Sequence, residues 1–339
     1  MQLNEFGTTG LKVSEVGFGG SRIGGVFAAK DVRGGAVGLL QQCLDAGITF
    51  YDTADMYSQG ESEALIGKAF RNRRAAVVLA TKGGFTLPAR RNFVRHVKPL
   101  LRPIIQVLGL KRSALPKGAS GALSQDFTPA YLTAALEASL TRLRTDHVDL
   151  YQLHSPSPAF VRTDEFGAAL QTLEKLKAQG KLRFYGIGTE HPEDAAHCVD
   201  VPGISSLQLG FGVLDQLALD DGTLDRARGR GLAIIARGCF GGGLLKDGTD
   251  DAQLRAATGK WRQIIALRSL SAQLQRPTLD VAFQFCRGTP GVAVSLLGMH
   301  RRQHLDDNLR HVRARRLQPG EYAAVRALTS DAGPAPESR

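Results

Sequence analysis

The hydrophobic positions of this chain alternate between two periods along its length. Short runs of β-branched and aliphatic residues, typical of buried strands, are separated by segments with apolar residues three and four positions apart, which predict helices. Eight strand-like runs stand out: SEVGFGG, GITFYDTA, AAVVLATK, HVDLYQLH, RFYGIGT, SSLQLGF, LAIIARG and AVSLLG. The helical pattern covers 36–44, 63–70, 131–143, 166–176, 224–228, 264–274 and 305–312.

The alternation of strand and helix predicts βαβ units and a parallel sheet. Eight units favour a closed (β/α)₈ TIM barrel, formed as one domain over 1–330. An open dinucleotide-binding sheet would require a GxGxxG pattern after the first strand, and this sequence has none there. The opening QLNEFGTTGLKV predicts a β-hairpin that plugs the N-terminal end of the barrel. The tail 331–339 is rich in proline and small residues, and we expect it to be disordered.

Two intervals between predicted strand ends, 82–154 and 236–298, are longer than the others and predict long loops on the active-site face of the barrel. The first contains a basic insertion, 86–125, with eight Lys or Arg residues and no Asp or Glu. Its pattern is amphipathic, although Pro99 and Pro103 interrupt a continuous helix. Three roles remain open for this insertion: a solvated element packed on the barrel, a lid or clamp for an anionic ligand, and an element that docks on a surface.

Eight of the eleven net positive charges of the 339-residue chain lie in this insertion, which leaves a net charge of +3 for the rest. The other residues are nearly balanced, so we do not expect nucleic-acid binding. No stretch approaches the roughly 20 apolar residues of a membrane span, and MQLNEF lacks the features of a signal peptide, so we expect a cytoplasmic protein. The four cysteines are widely spaced, so we expect them to be reduced thiols. Cys239 is an alternative nucleophile, although the sequence shows no evident His–Asn pair to activate it.

Four residues with complementary proton chemistry stand at or just after the ends of three consecutive strand-like runs. Asp52 and Tyr57 lie in YDTADMY, Lys82 in VVLATKGG and His154 in VDLYQLHSP. Because a (β/α)₈ barrel gathers the carboxyl ends of its strands into one mouth, we expect these side chains to meet there.

A tyrosine, a lysine and a carboxylate brought together can move a proton onto a carbonyl oxygen. The phenol of a free tyrosine has a pKa of about 10, and a neighbouring ammonium lowers that pKa by favouring the phenolate. We therefore interpret Tyr57 as the proton donor, Lys82 as the cation beside it and Asp52 as the carboxylate that keeps Lys82 charged and in place. His154 can hydrogen-bond the carbonyl oxygen and stabilise the negative charge that develops there.

At these residues the chain resembles the aldo/keto reductase family. GITFYDTADMYSQGESEALIGKAF is similar to the family's first signature, VVLATKGG to its lysine strand and VDLYQLHSP to its histidine strand. The similarity extends from FGTTGLKVSEVGFGG to HLDDNLRHV. The resemblance implies a (β/α)₈ barrel and reversible hydride transfer, without a metal, between a nicotinamide cofactor and an aldehyde, ketone or sugar, with Tyr57 as the acid/base.

The resemblance also implies which residues bind the cofactor. YGIGTEHP resembles the family's GxSN segment, with Thr189 in place of Ser and Glu190 in place of Asn, and Gln208 matches a glutamine that contacts the carboxamide. Arg237 stands where an aromatic residue usually stacks on the nicotinamide, and a planar guanidinium can stack similarly. The full set comprises Thr189, Gln208, Arg237, Gly238, Phe240, Gly241, Gly243, Leu244, Gly298, His300, Arg302, His304, Asp307 and Asn308.

The segment LLGMHRRQHLDDN bears on the choice between the two nicotinamide cofactors. By the resemblance it holds the adenosine 2′-phosphate and the adenine. His300 stands where many members have Arg, and His304 where they have Arg or Gln, while Arg302 can still pair with a phosphate. NADP(H) is therefore the first expectation and NAD(H) the alternative.

Two other functions remain open. The family's potassium-channel β-subunits use the same barrel as a cofactor-sensing binding module, and Lys82 could act as the Schiff-base nucleophile of a lyase. The complete set of four favours reductase chemistry, because Tyr57 and Asp52 predict a charged, unreactive Lys82. The expected partner is a small carbonyl or alcohol substrate, and the basic insertion 86–125 adds an anionic ligand or a docking surface as a further one.

Overall fold

The computed structural model describes residues 1–24, 30–86, 124–246, 248 and 250–328. Its strands, in chain order, are β1 (Leu3–Glu5), β2 (Lys12–Ser14), β3 (Val16–Gly19), β4 (Phe50–Asp52), β5 (Val78–Gly83), β6 (Phe85–Thr86), β7 (Ser124–Gln125), β8 (Val148–His154), β9 (Leu182–Gly188), β10 (Ser206–Gly210), β11 (Ala233–Arg237) and β12 (Val292–Gly298). Of the predicted basic insertion 86–125, only the two ends are described, and the predicted tail 331–339 lies outside the described residues.

Eight of these strands close into a parallel barrel, in the order β3, β4, β5, β8, β9, β10, β11 and β12. Each coincides with one of the eight apolar runs, and β5 and β8 are buried along their whole length. Such continuous burial is what helices on the outside and side chains on the inside of a parallel barrel impose. The predicted (β/α)₈ fold class is therefore confirmed.

Helices connect the strands as the periodicity predicts. They are α1 (Lys30–Asp45), α2 (Glu61–Phe70), α3 (Pro129–Leu143), α4 (Pro158–Val161), α5 (Asp164–Ala178), α6 (Ala195–Cys198), α7 (Leu217–Asp220), α8 (Thr223–Gly229), α9 (Asp251–Ala257), α10 (Trp261–Gln273), α11 (Thr278–Gly288), α12 (Arg302–Arg313) and α13 (Pro319–Ala327). Each of the seven predicted segments coincides with one of them. None of the described helices has both the length and the apolar character needed to cross a membrane.

The sequence analysis missed six helices, α4, α6, α7, α9, α11 and α13, and the two short strands β6 and β7. α4, α6 and α7 span four residues each, which is too short for a recognisable period. α11 is buried on most of its sides, polar Asp280 and Gln284 included. β6 and β7 pair antiparallel over two residues each, which is too short for a recognisable alternation. The interval 236–298 therefore holds three helices in succession, α9, α10 and α11, where the sequence predicted one helix and a long loop.

The chain divides into two compact units. The β10–β12 unit comprises Met1–Val16, Thr189–Leu297 and the chain from Asp306 onward, and it contains the predicted N-terminal hairpin of β1 and β2. The hairpin lies at the N-terminal ends of β11 and β12: the Asn4 side chain donates to the Ala293 carbonyl (2.9 Å) and the Thr8 amide to the Gly231 carbonyl (2.9 Å). Deeper in this unit, Phe285 of α11 stacks between Phe211 and Tyr322.

The β4–β9 unit comprises Gly17–Gly188 and Gly298–Leu305. Its helices α2 and α3 cross closely, because a Cβ on Gly67 would lie 2.5 Å from the Leu143 carbonyl group. Strand β5 is equally tight at Gly83, where a Cβ would overlap the buried hydroxyl of Tyr151 on β8. That hydroxyl has no hydrogen-bond partner among the described residues.

Replacing Gly83 by Ala should lower the free energy of unfolding by about 2 kcal/mol through overpacking. In a Tyr151→Phe background the loss should shrink, because the overlapping oxygen is gone and the nearest remaining atom, the ring Cζ, is 3.0 Å away. Denaturant unfolding of the two single variants and the double variant measures this coupling. Gly38→Ala, at an exposed helical position with open space, is the control and should stabilise by about 0.5–1 kcal/mol. Equal losses in both backgrounds would contradict the contact.

Candidate active site

The carboxyl ends of three neighbouring strands bring three of the predicted residues to one edge of the β4–β9 unit. Asp52 is the last residue of β4, Lys82 the last but one of β5, and His154 the last of β8. The strands are parallel, with Asp52 opposite Ala80 and Lys82 opposite Gln152. Neighbouring parallel strands end on the same side of a sheet, so the side chains meet although up to about a hundred residues separate them along the chain.

Lys82 and Asp52 form a buried ion pair. The Lys82 ammonium lies 2.5 Å from Asp52 Oδ1 and also donates to the Thr53 carbonyl oxygen at 3.0 Å. Their side chains are 3% and 4% exposed. A buried ammonium is tolerated only with an opposite charge and further hydrogen-bond acceptors around it, and both are present here.

Tyr57 lies next to this pair, at the start of the tight helical turn Tyr57–Gly60. The Lys82 Nζ atom is 5.3 Å from the centroid of the Tyr57 ring, and the His154 ring meets the Tyr57 ring edge-on at 5.9 Å between centroids. Ser58 and Gln59 both adopt left-handed backbone angles (φ 52° and 61°), which non-glycine residues seldom do. The structure thus brings together all four residues that the sequence singled out.

His154 is supported from the strands that flank the insertion. The Phe85 ring of β6 meets the His154 ring edge-on at 4.8 Å between centroids. Opposite Phe85 in the β6–β7 pair, Gln125 donates through Nε2 to the carbonyl oxygens of His154 (3.0 Å) and Ser155 (2.7 Å). The ends of the insertion are therefore attached directly to the strand end that carries the histidine.

A second buried ion pair lies on the other side of β5, and the sequence analysis did not identify it. Glu63 of α2 is fully buried and accepts hydrogen bonds from the Thr81 hydroxyl (2.6 Å) and from Nε of Arg142 (2.5 Å) on α3. Thr81 precedes Lys82, and side chains alternate along a strand, so the two ion pairs hold β5 from opposite faces. The available signal was an acidic residue on the otherwise apolar face of α2.

Three predicted cofactor residues lie together in the β10–β12 unit. Thr189 is 2% exposed, and both its amide and its hydroxyl donate to the Gln208 carbonyl oxygen (2.8 and 3.4 Å). Arg237, at the end of β11, donates to the Thr189 carbonyl oxygen (2.6 Å) and to that of Glu190. Gln208 is 2% exposed, and its Oε1 atom has no partner among the described residues. An unused, buried amide oxygen suits a ligand that carries an NH₂ group, such as a carboxamide.

The glycine-rich loop that follows β11 exposes bare backbone. Gly238, Gly241 and Gly243 have left-handed φ values of 86°, 57° and 104°, and a Cβ on Gly238 or Gly243 would meet nothing within 4 Å. Phe240 packs edge-on against His311, and Leu244 continues the turn. Open space beside glycine backbone allows close approach by a phosphate group.

The remaining predicted residues lie around the start of α12. In the β10–β12 unit, Asp307 pairs with Arg310, and the buried Asn308 has a side-chain Nδ2 atom with no partner among the described residues. In the β4–β9 unit, the rings of His300 and His304 meet at 4.2 Å. Two more predicted positions belong to that unit: Arg302 donates to Gln42 Oε1 of α1 (3.0 Å), and Gly298 is exposed at the end of β12.

The family model described as the Aldo/keto reductase family matches residues 15–330 of this chain. The chain therefore belongs to the aldo/keto reductase family of oxidoreductases, whose members use nicotinamide cofactors.

Similar proteins span most of the chain. It is 27% identical to an uncharacterized oxidoreductase, YqkF, of Bacillus subtilis (strain 168) over 97% of both sequences, and 30% identical to the L-galactose dehydrogenase of Arabidopsis thaliana over 73% of this chain and 68% of that one. The solved structure of the aldo-keto reductase AKR11C1 from Bacillus halodurans, in its holo form, matches with a TM-score of 0.76 at 27% identity over 97% of this chain and 96% of that chain. The glycerol dehydrogenase AKR11B4 from Gluconobacter oxydans shares the fold, with a TM-score of 0.74 at 21% identity over 99% and 98% of the two chains.

Breaking the Lys82–Asp52 pair from either side should be costly for stability. Asp52→Asn and Lys82→Met should each lower the free energy of unfolding by about 3 kcal/mol, since each leaves an uncompensated buried charge. The double variant should lose less than the sum of the two, by about 1–3 kcal/mol. Denaturant unfolding measures the cycle. The exposed Lys181–Glu137 pair (2.6 Å) is the control and should couple by less than about 1 kcal/mol. Additive losses at Lys82 and Asp52 would contradict the buried pair.

Proposed function

We propose that this chain is an NAD(P)(H)-dependent aldo/keto reductase that interconverts the carbonyl and alcohol forms of a small aldehyde, ketone or sugar. The observation that supports this most directly is the buried Lys82–Asp52 pair beside the Tyr57 ring. An ion pair that only stabilises the fold does not require a phenol and an imidazole beside it. Here His154 ends β8 and Tyr57 lies in the turn that follows β4, at the carboxyl ends of the strands, where a (β/α)₈ barrel builds its active site.

Each of the four residues has a distinct role in the proposed reaction. Tyr57 gives its proton to the carbonyl oxygen during reduction and takes one from the alcohol during oxidation. Lys82 stabilises the phenolate that Tyr57 leaves behind, and Asp52 holds Lys82 in place. His154 hydrogen-bonds the carbonyl oxygen, orients it towards Tyr57 and stabilises its developing charge.

Residues of this chain fit the cofactor that the family uses. Gln208 Oε1 and Thr189 suit the carboxamide, Arg237 suits the nicotinamide ring, and Asn308 Nδ2 suits the adenine. The phosphates fit the glycine-rich loop, with Gly238, Phe240, Gly241, Gly243 and Leu244. The adenosine end fits the residues around the start of α12, namely Gly298, His300, Arg302, His304 and Asp307. When bound, the nicotinamide supplies or accepts the hydride. NADP(H) is the first choice because Arg302 can pair with a 2′-phosphate, and NAD(H) is the alternative.

Lys82 is a poor candidate for Schiff-base chemistry in this arrangement. A Schiff-base lysine needs an amine that is free to attack a carbonyl carbon, whereas the Lys82 nitrogen is held by the Asp52 carboxylate at 2.5 Å and by the Thr53 carbonyl oxygen at 3.0 Å. The lyase alternative thus receives no support from the geometry. The relative named L-galactose dehydrogenase supports the inclusion of aldoses among the first substrates tested.

Replacing Tyr57 by Phe should reduce kcat for carbonyl reduction by a factor of about 10²–10⁴, because the proton donor is lost while the ring remains. The affinity for NADPH should stay close to the wild-type value. A panel of aldehydes, ketones and aldoses, followed through NADPH absorbance, measures turnover, and NADPH fluorescence measures binding. Tyr185→Phe, which removes a hydroxyl bonded to Glu174, is the matched control and should retain activity. Unchanged turnover in Tyr57→Phe would refute the role, and cofactor binding by a wild type that reduces nothing in the panel would favour the sensor alternative.

Replacing Arg302 by Gln should weaken NADPH binding about tenfold and leave NADH binding nearly unchanged, since only NADPH carries the 2′-phosphate. Fluorescence titration with both reduced cofactors measures the effect. Arg313→Gln, at the other end of α12, is the control. Tighter binding of NADH than of NADPH by the wild type, or an equal loss for both cofactors in Arg302→Gln, would contradict the NADP(H) preference.

A further inference from the structure

Gln125 is a polar residue beside the candidate active site to which the proposed mechanism gives no role. It is the last residue of β7, and its side chain is exposed. Its Nε2 atom donates to two successive carbonyl oxygens at the end of β8, those of His154 (3.0 Å) and Ser155 (2.7 Å). A primary amide has two N–H donors, so these two bonds use both of them. A long exposed side chain has many rotamers in water, and here the strand end that carries the histidine holds it in one of them.

The two carbonyl groups belong to a turn with an unusual backbone. Ser155 has a left-handed φ of 56°, which costs a serine free energy and persists only where surrounding contacts hold it. One such contact is made by its own amide, which donates to the carbonyl oxygen of Gly188 at the end of β9 (2.7 Å). The bonds from Gln125 add two more. The direction in which the chain leaves His154 therefore depends on Gln125 as well as on β9.

The residue opposite Gln125 contacts the histidine as well. Phe85 pairs with Gln125 in the β6–β7 ladder, and its ring meets the His154 ring edge-on at 4.8 Å between centroids, with an interplanar angle of 82°. Such an edge-to-face arrangement is favourable and directional. One pair of facing residues thus holds His154 twice, by the backbone through Gln125 and by the imidazole through Phe85.

The β6–β7 pair is itself anchored to the elements around it. The Tyr131 hydroxyl of α3 donates to the Phe85 carbonyl oxygen (2.7 Å), and the Asp126 amide donates to the Gly84 carbonyl oxygen (2.8 Å). At Gly84 a Cβ would lie 2.2 Å from the Phe127 ring, so the chain passes there in close contact. These contacts join the pair to α3 and to the end of β5, and they allow it to hold His154 in a fixed place.

The position of His154 matters because its proposed contact with the substrate is a hydrogen bond. Such a bond weakens steeply when donor and acceptor move beyond about 3.2 Å or out of line. A donor that stabilises developing charge must be in place before the reaction begins, and a displacement of about 1 Å costs large factors in rate. The residues that support a site therefore control its efficiency without touching the substrate.

We propose that Gln125 is a positioning residue for His154: its two hydrogen bonds fix the turn at the end of β8, so that the imidazole beside Phe85 faces the carbonyl oxygen of the substrate. This role rests on the reductase function proposed above, because it acts through the contact between His154 and that oxygen. Loss of the Gln125 amide leaves Tyr57, Lys82 and the cofactor residues unchanged. It therefore predicts weaker use of the carbonyl substrate with unchanged cofactor binding.

Gln125→Met keeps the approximate length of the side chain and removes its donors. In steady-state reduction it should raise KM for the carbonyl substrate and lower kcat/KM roughly three- to thirtyfold, the range expected from the loss of two neutral hydrogen bonds. Gln125→Glu should be at least as impaired, since a carboxylate only accepts hydrogen bonds. The matched control is Gln41→Met on α1, which removes an amide that donates to the Ala69 carbonyl oxygen (3.3 Å) and should keep wild-type kinetics. The affinity for NADPH should be unchanged in all three variants.

A double-mutant cycle tests whether Gln125 acts through His154. In a His154→Asn background, Gln125→Met should change kcat/KM by less than about twofold, because the group that it positions is absent. A loss as large as in the wild-type background would overturn the proposal. So would a Gln125→Met enzyme whose kcat falls only with the amount of folded protein while KM is unchanged, as a merely structural role predicts.

Nitrogen-15 NMR of histidine-labelled protein gives a readout that does not depend on activity. The His154 ring resonances, assigned by their absence from His154→Asn, should shift or broaden in Gln125→Met and stay unchanged in Gln41→Met. His154 resonances that are identical in Gln125→Met and the wild type would contradict the positioning role. If they change while the wild type reduces no carbonyl in the panel, the positioning role stands and the reductase function fails.

Discussion

The buried ion pair of Lys82 and Asp52 is the interaction on which the rest of the candidate site depends. Burying an ammonium to 3% exposure is unfavourable unless a carboxylate and a further acceptor lie within hydrogen-bond distance. Asp52 and the Thr53 carbonyl meet that requirement only because β4 and β5 are adjacent and parallel. The pairing of these strands therefore fixes the position of the cation, and with it the environment of the Tyr57 ring 5.3 Å away.

The second ion pair makes the first one rigid. Thr81 and Lys82 are consecutive in β5 and point to opposite faces, so Glu63 holds the strand from the helical side while Asp52 holds it from the other. Arg142 neutralises Glu63 and also ties α3 to α2. Sliding of β5 by one residue would turn Lys82 towards the helices and Thr81 towards Asp52, and would break both ion pairs. Because each buried pair is costly to break, the observed register of β5 is strongly favoured.

Much of this arrangement can be predicted from the sequence, and the features that the sequence did not predict share a physical cause. Eight apolar runs and the residues at their ends predict the barrel and the meeting of Asp52, Tyr57, Lys82 and His154, because strand direction alone determines which ends converge. Glu63 and Arg142 lie more than seventy residues apart and carry no strand-end signal. Their pairing depends on how α2 and α3 cross, which a single sequence does not encode as a local pattern.

The departures from the family pattern at Glu190 and Arg237 are linked through one contact. A guanidinium that replaces an aromatic ring must be held flat, since a free arginine side chain has many rotamers. Arg237 is held by the carbonyl oxygens of Thr189 and Glu190, which occupy the edge of its guanidinium and leave the planar face unused by these bonds. The acceptors are backbone atoms, so the side chain at position 190 is free to differ from the family's asparagine. Stacking by a cation in place of a ring is thus compatible with the loss of the amide at position 190.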